Sequence, residues 1–179
     1  FRYERPQAGR YRQFHQFGVE CIGATTPEAD VEVILLAVAL LNRIGIHEYK
    51  LELNTLASKE VRQKYREELV RFLQANKEKL SPDSQVRLEK NPLRVLDSKN
   101  PNDKLVVIDA PTIHDFLDEE CQQHFDTVKA LLTAENIEFT IQPRLVRGLD
   151  YYSHTVFEFV SSALGAQSSI LGGGRYNDM

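Results

Sequence analysis

Two short stretches in which apolar and polar residues alternate, "YKLELNTL" (Tyr49 to Leu56) and "TVFEFV" (Thr155 to Val160), stand on either side of a long block of different rhythm. Period-two alternation sends successive side chains to opposite faces of a strand, so each stretch asks for a sheet with one buried face. From about residue 57 the rhythm changes. Ser58 precedes "KEVRQKYREELVRFLQANKEKL", in which Val61, Tyr65, Leu69 and Phe72 fall at helical spacing among charges. A chain built this way must assemble its sheet from strands lying on both sides of a helical unit. The expectation is an α+β fold: an antiparallel sheet with flanking helices, interrupted by a mostly helical insertion. Its parts are a first core segment (1–56), an insertion domain (57–143) and a second core segment (144–179).

Within the first segment, "FRYERPQAGRYRQFHQFGVE" reads as a hairpin with a long loop, Pro6 and Gly9 marking the turn. Strand alternation puts Arg2 and Glu4 on one face. It likewise groups Arg12, Phe14, Gln16, Gly18 and Glu20, with Phe17, Val19 and Cys21 opposite. A helix follows, with Thr26 as N-cap, Pro27 at its first position, and Glu28 and Asp30 at the positive end of its dipole. Its apolar positions run nearly all round through Leu41, which predicts a buried helix ending near Gly45. Inside the insertion, "LVVI" (Leu105 to Ile108) suits a strand or a buried helical turn. A second amphipathic helix is expected from near Thr112 to about Glu135, then a strand in "IEFTIQP".

The net charge of −4 argues against a surface devoted wholly to nucleic acid. Charge is nevertheless polarised: residues 57–100 carry eleven Lys/Arg against seven Asp/Glu, and residues 101–143 carry two against nine. This fits either two solvated helical faces or a local contact with nucleic acid. Cys21 and Cys121 have no metal-type spacing, which points to a reducing, cytoplasmic setting rather than a disulfide framework. The longest apolar run, "VILLAVALL", is far shorter than the roughly 20 residues of a membrane span, and no signal peptide is visible. The chain starts without Met and stops in mid-pattern, and so reads as a piece of a longer protein.

Four clusters have the residue types of a binding site. The polar hairpin face offers Arg2, Glu4, Gln16 and Glu20: a guanidinium fork for phosphate or carboxylate, and a carboxylate for a cation or an imidazole N–H. A solvated face with cross-strand ion pairs fits equally well. "GRYR" could grip phosphate through Arg10 and Arg12, or be a solvated loop. "RGLDYYSHT" places Arg147 before Gly148 and pairs Tyr151 with Tyr152, as a pocket wall or as a core edge. "GGGRY" (Gly172 to Tyr176) lacks the Lys-Ser/Thr of a P-loop and would let a ligand lie flat against a sheet. The five histidines show no ligand spacing, so no protein-held metal is expected.

Taken in order, these segments resemble a family. "FRYERPQAGRYRQFHQFGVE" is similar to motif 2 of bacterial-type class II histidyl-tRNA synthetases. "LVRGLDYYSHTVFE" and "GGGRYNDM" resemble their two histidine-specific segments, and "NPLRVLDSKNP" resembles the bacterial insertion. The resemblance implies ATP-dependent activation of L-histidine and its transfer to tRNA(His), with Mg²⁺ accompanying ATP and a homodimer in the full-length protein. It implies that Arg2 and Arg147 are catalytic, stabilising charge at the reacting phosphate. Gln16, Glu20, Arg147, Tyr151, Tyr152 and Tyr176 would bind histidine. Arg2, Glu4, Arg10 and Arg12 would bind ATP, and Arg10 and Arg12 would also meet the tRNA acceptor end. The insertion would approach the acceptor arm. Motif 1, motif 3 and an anticodon domain are missing, so the chain alone is expected to be weak or inactive in aminoacylation. A non-catalytic relative, the histidine-sensing regulatory subunit of ATP phosphoribosyltransferase, is the alternative. A synthetase-like module of a regulatory kinase is a third reading.

Overall fold

The structure, a computed structural model, describes residues 1–3, 11–148, 151–162 and 169–177. Two of its strands form where the alternation predicts them, and a third forms in the glycine-rich segment. Strand β1 (Lys50–Thr55) pairs antiparallel with the long strand β3 (Ser153–Val160), which pairs antiparallel with β4 (Ser169–Arg175). A two-residue strand, β2 (Thr140–Ile141), adds to the free edge of β1, giving the order β2-β1-β3-β4. The α+β class holds, but the sheet is mixed, because β2 runs parallel to β1. The physical reason is the insertion itself. Parallel neighbours need a long crossover, and everything between β1 and β2 supplies one.

One face of this sheet is covered by two helices, α1 (Pro27–Arg43) and α5 (Glu119–Ala134). Val31, Ile34 and Leu41 of α1 meet Phe125, Val128 and Leu132 of α5 above Leu51, Leu53, Phe157 and Phe159 of the strands. The helix α1 starts at Pro27 as expected, with Glu28 and Asp30 in its first turn. It is not buried all round: Leu36 on its outer side is 47% exposed. A helix lying on a sheet hides one stripe only.

The insertion contributes α2 (Lys59–Ala75), α3 (Pro82–Lys90) and α4 (Pro101–Val107). The Ser58 hydroxyl accepts from the Val61 N–H and starts α2 where the sequence places it. Val61, Tyr65, Leu69 and Leu73 then pack on Leu80, Leu88, Val95, Val106 and Ile113 in a core separate from that of the sheet. "LVVI" resolves as the end of α4 and the residue after it. The single helix expected from Thr112 to Glu135 is instead two pieces. Thr112 and Asp115 cap a 3₁₀ turn over Ile113–Phe116, and Asp118 restarts the chain as α5 by accepting from the Cys121 N–H at 2.9 Å. Two capping signals in series turn the chain, so that α5 leaves the inserted core and joins that of the sheet. Residues 57–143 therefore contribute to both cores.

No strand is assigned to residues 1–3 or 11–25, although a hairpin is expected there. One cross-segment hydrogen bond, Arg2 N–H to Arg12 C=O at 2.9 Å, records the pairing. A two-stranded ribbon without a sheet neighbour is marginal in water, and here Phe1, Tyr3, Tyr11, Phe17 and Ile22 are exposed. Glu4 and Arg10 lie outside the described residues.

Candidate active site on the open face of the sheet

Opposite the helices, the sheet presents a row of paired positions, Glu52–Glu158–Gly172, running across β1, β3 and β4. Burial, and after it the charge of Glu158, push the Glu52 carboxyl above its ordinary range, against a hydrogen bond from Gln142. The segment after β2 brings Arg147 over this row, where its guanidinium meets the Glu158 carboxylate at 2.5 Å. Gly172 makes the approach possible: a Cβ there would lie 2.5 Å from Arg147 Nη1 and 2.9 Å from Glu158 Cγ. The room at the glycine run is thus filled by the protein's own side chains, with Gly173 against the Phe157 ring and Gly174 against Tyr152. Arg147 Nε is buried and has no hydrogen-bond partner among the described residues. A buried guanidinium donor left unpaired is costly unless something else comes to accept from it.

An aromatic wall adjoins this cation. The Arg147 Cζ lies 5.8 Å from the centre of the Tyr152 ring. Tyr151 stacks on Tyr152 with centroids 4.7 Å apart, and Tyr176, just beyond β4, sits edge-on to Tyr151 at 5.5 Å. The neighbouring Glu20 carboxylate, above all, raises the pKa of the Tyr176 phenol. A hydrogen bond with Tyr152, followed by burial, raises that of Tyr151. Both phenols therefore stay protonated at neutral pH and serve as donors. Together these groups offer a fixed cation, a carboxylate with a free lone pair, phenol donors and flat ring faces, all within one wall. Such a set suits a small, flat, polar ligand that carries an anionic group.

Behind the sheet, Asp30 of α1 ties the same strands to the helices. Its Oδ2 accepts from His124 Nε2 at 2.8 Å and from the Thr155 hydroxyl at 2.7 Å, and its Oδ1 accepts from Arg175 Nε at 2.9 Å. Burial, the largest influence, pushes the Asp30 carboxyl up, but these hydrogen bonds and the Arg175 charge outweigh it and hold the group below its ordinary range. Arg175 also donates to the carbonyls of Ala24 and Thr26, which fixes the residue immediately before Tyr176. Among the described residues, no group of three or more His, Cys, Asp or Glu side chains could hold a metal ion. No helix there is long and apolar enough to cross a membrane.

The whole chain, residues 1–179, matches the family described as histidyl-tRNA synthetase. The chain belongs to that family. It is 54% identical over 179 residues to the histidine–tRNA ligase of Streptococcus pyogenes serotype M3 (strain ATCC BAA-595 / MGAS315), covering 42% of that protein. It is equally 54% identical, over the same length and share, to the histidine–tRNA ligase of Streptococcus pneumoniae (strain 70585). The fold matches the crystal structure of apo S. aureus histidyl-tRNA synthetase with a TM-score of 0.66 and 35% identity, over 87% of this chain and 38% of that one. A histidyl-tRNA synthetase from Nostoc sp. PCC 7120, 17% identical with a TM-score of 0.52, shares the fold. The chain thus spans 42% of the length of the curated relatives it matches.

Of the residues that the synthetase resemblance singles out, the structure brings Glu20, Arg147, Tyr151, Tyr152 and Tyr176 together. Arg2 and Gln16 contact each other instead, Nη2 to Oε1 at 3.4 Å, with the Arg2 guanidinium 4.9 Å from the Phe14 ring centre. The Arg12 guanidinium lies 5.8 Å from the Tyr3 ring centre in the same segment. Sequence reasoning missed Glu158, the partner of Arg147, and Asp30, which it read only as a helix-dipole residue. Glu158 did carry a signal: it is the one charged residue in the "TVFEFV" strand.

Proposed function

We propose that the complete protein carrying this chain activates L-histidine with ATP and transfers it to tRNA(His). The single observation that carries this reading is Arg147, held over Gly172 by Glu158 with a buried Nε that has no partner among the described residues, beside the Glu20–Tyr176–Tyr151–Tyr152 wall. In the proposed reaction the histidine carboxylate attacks the ATP α-phosphate, and two anions must meet. Arg147, with Arg2, supplies fixed cations where charge develops on the phosphate oxygens, and pre-aimed cations need no reorganisation. Glu20 and the Tyr176 hydroxyl hold the imidazole, Gln16 the α-amino group, and Tyr151 and Tyr152 line the pocket. A site that pairs with buried polar groups of its substrate rejects analogues lacking them. Glu4, Arg10 and Arg12 complete the ATP contacts, and Arg10 and Arg12 meet the tRNA acceptor end. Mg²⁺ enters with the nucleotide. The basic first half of residues 57–143, as an insertion domain, faces the acceptor arm. The complete protein is read as a cytoplasmic homodimer.

Histidine-dependent ATP–pyrophosphate exchange by the complete protein tests this. Exchange is expected, and its loss in Arg147→Ala by about 100-fold or more, the usual scale for removing one stabilising group. Unchanged exchange in that variant would overturn the assignment of Arg147. Because this chain spans 42% of its relatives, we expect it to charge tRNA weakly or not at all in isolation.

A further inference from the structure

The segment that carries Arg147, Tyr151 and Tyr152 is anchored from two sides. At its base, Asn54 of β1 donates its amide N–H groups to the carbonyls of Leu145 at 2.9 Å and Pro143 at 3.3 Å. The Asn54 Oδ1 is left to pair with His114 Nε2 at 2.9 Å. Further along, the anchors come from the inserted helices. Arg94, in the 3₁₀ turn Pro92–Val95, donates from Nη1 to the Gly148 carbonyl at 3.0 Å. Arg62 of α2 donates from Nη1 to the Tyr152 carbonyl. These two carbonyls bracket the segment immediately after Arg147.

Several features show that this grip is built rather than incidental. Arg94 sits within ion-pair distance of Asp97, Nε to Oδ2 3.4 Å, and its carbonyl accepts from Arg87 Nη1 at 3.1 Å. Arg94 approaches Gly148 closely, since a Cβ there would stand 3.2 Å from Arg94 Nη1. Both bonds are cation-to-carbonyl, the charge-assisted kind that is stronger and more directional than a neutral pair. Neither closes the inserted core, which is apolar and packs through Tyr65, Leu69, Leu73 and Leu88. Both reach across 54 or more positions of sequence to the residues that flank Arg147 and the tyrosine pair.

We propose that Arg62 and Arg94 are positioning residues for histidine activation: the inserted helices hold Arg147, Tyr151 and Tyr152 in their reactive geometry through the carbonyls of Gly148 and Tyr152. The proposal rests on the reading of the site given above. Its physical basis is that a displacement of about 1 Å at reacting groups costs on the order of 100-fold in rate.

The experiment compares Arg62→Ala, Arg94→Ala, the double variant, Arg62→Lys and Arg94→Lys in the complete protein. It reads histidine-dependent ATP–pyrophosphate exchange together with hydrogen exchange of amides in residues 147–152 and in α2. The double Ala variant is expected to lose about 100-fold in kcat/KM for histidine, and each single variant about 10-fold. Amides of 147–152 should exchange faster while those of α2 stay protected, and each Lys variant should recover part of the loss by returning a cation to the carbonyl. If the double Ala variant does not fold, the Lys variants against the single Ala variants carry the same comparison. Wild-type kcat/KM in the double variant would overturn the proposal. So would a loss matched by deprotection of α2 that Lys fails to relieve. An unmodified protein with no exchange activity would sink the functional reading instead, while amide protection of 147–152 would still report on the grip.

Discussion

Asp103, fully buried, and Asp30, partly buried, each accept hydrogen bonds through both carboxylate oxygens, yet their partners come from very different distances along the chain. Asp103, in α4, is fully buried and accepts from the Ser81 N–H and hydroxyl at 2.7 Å and from the Ser84 and Ser98 hydroxyls at 2.6 Å. Every partner lies within 22 positions, and none is charged. Asp30 gathers His124, Thr155 and Arg175 from 94, 125 and 145 positions away. The first pins a unit that local contacts already bring together. The second can form only after α1, α5, β3 and β4 have met, and so reports on the assembled sheet. Of the two, only the second touches the site, through Arg175 and its neighbour Tyr176.

The sharpest way to break this comparison is to remove one partner of the long-range centre. Asp30→Ala leaves the buried Arg175 guanidinium without its counter-charge, and we expect a loss of about 3–5 kcal/mol in chemical denaturation. In the complete protein the KM for histidine should also rise, as Tyr176 loses its anchored neighbour. Asp103→Ala strands three serine hydroxyls and one N–H, for an expected loss of about 3 kcal/mol. Hydrogen exchange should separate the two variants, with β3 and β4 amides deprotected by the first and α3 and α4 amides by the second. Identical patterns would mean that the two centres are not independent.

The smallest effect is in acid. Burial pushes the Asp103 carboxyl up most strongly, but its four hydrogen bonds win and bring it down to about 2. A depressed carboxylate stabilises the fold above its unfolded pKa, near 4, and that stabilisation is lost as pH falls toward 2. The expected contribution is about 2 kcal/mol. Thermal denaturation between pH 5 and pH 2 should fall less steeply for Asp103→Asn than for the unmodified chain. An equally steep fall would assign the acid sensitivity to other carboxylates, Asp30 among them.

The same contrast of near and far partners separates what could be read in advance from what could not. Helix α1 was legible because Pro27, its first-turn acids and Gly45 are local signals. Strands β1 and β3 were legible because alternation needs only a neighbour to be true. The break at Leu117 was written in Thr112–Asp115 and Asp118, but a continuous apolar stripe hid it. The hairpin expected at the N-terminus had correct alternation, yet no sheet edge receives it among the described residues. At the site, Arg147, Tyr151, Tyr152, Tyr176 and Glu20 stood out by residue type and by resemblance. Glu158, Arg62 and Arg94 did not, since an acid or a guanidinium on a regular element looks the same whether it faces water or a partner.

By itself, the sequence determined strands β1 and β3 and helices α1 and α2, that a helical block interrupts the sheet, and to which family the chain is similar. Each of these depends on spacing within a few residues. The tertiary structure alone decided that β2 returns parallel to β1, that α5 leaves the inserted core for the sheet, and that Asp30 and Glu158 receive Arg175 and Arg147. Those outcomes depend on which surfaces are close enough to exclude water. Only then does a charge acquire a fixed partner.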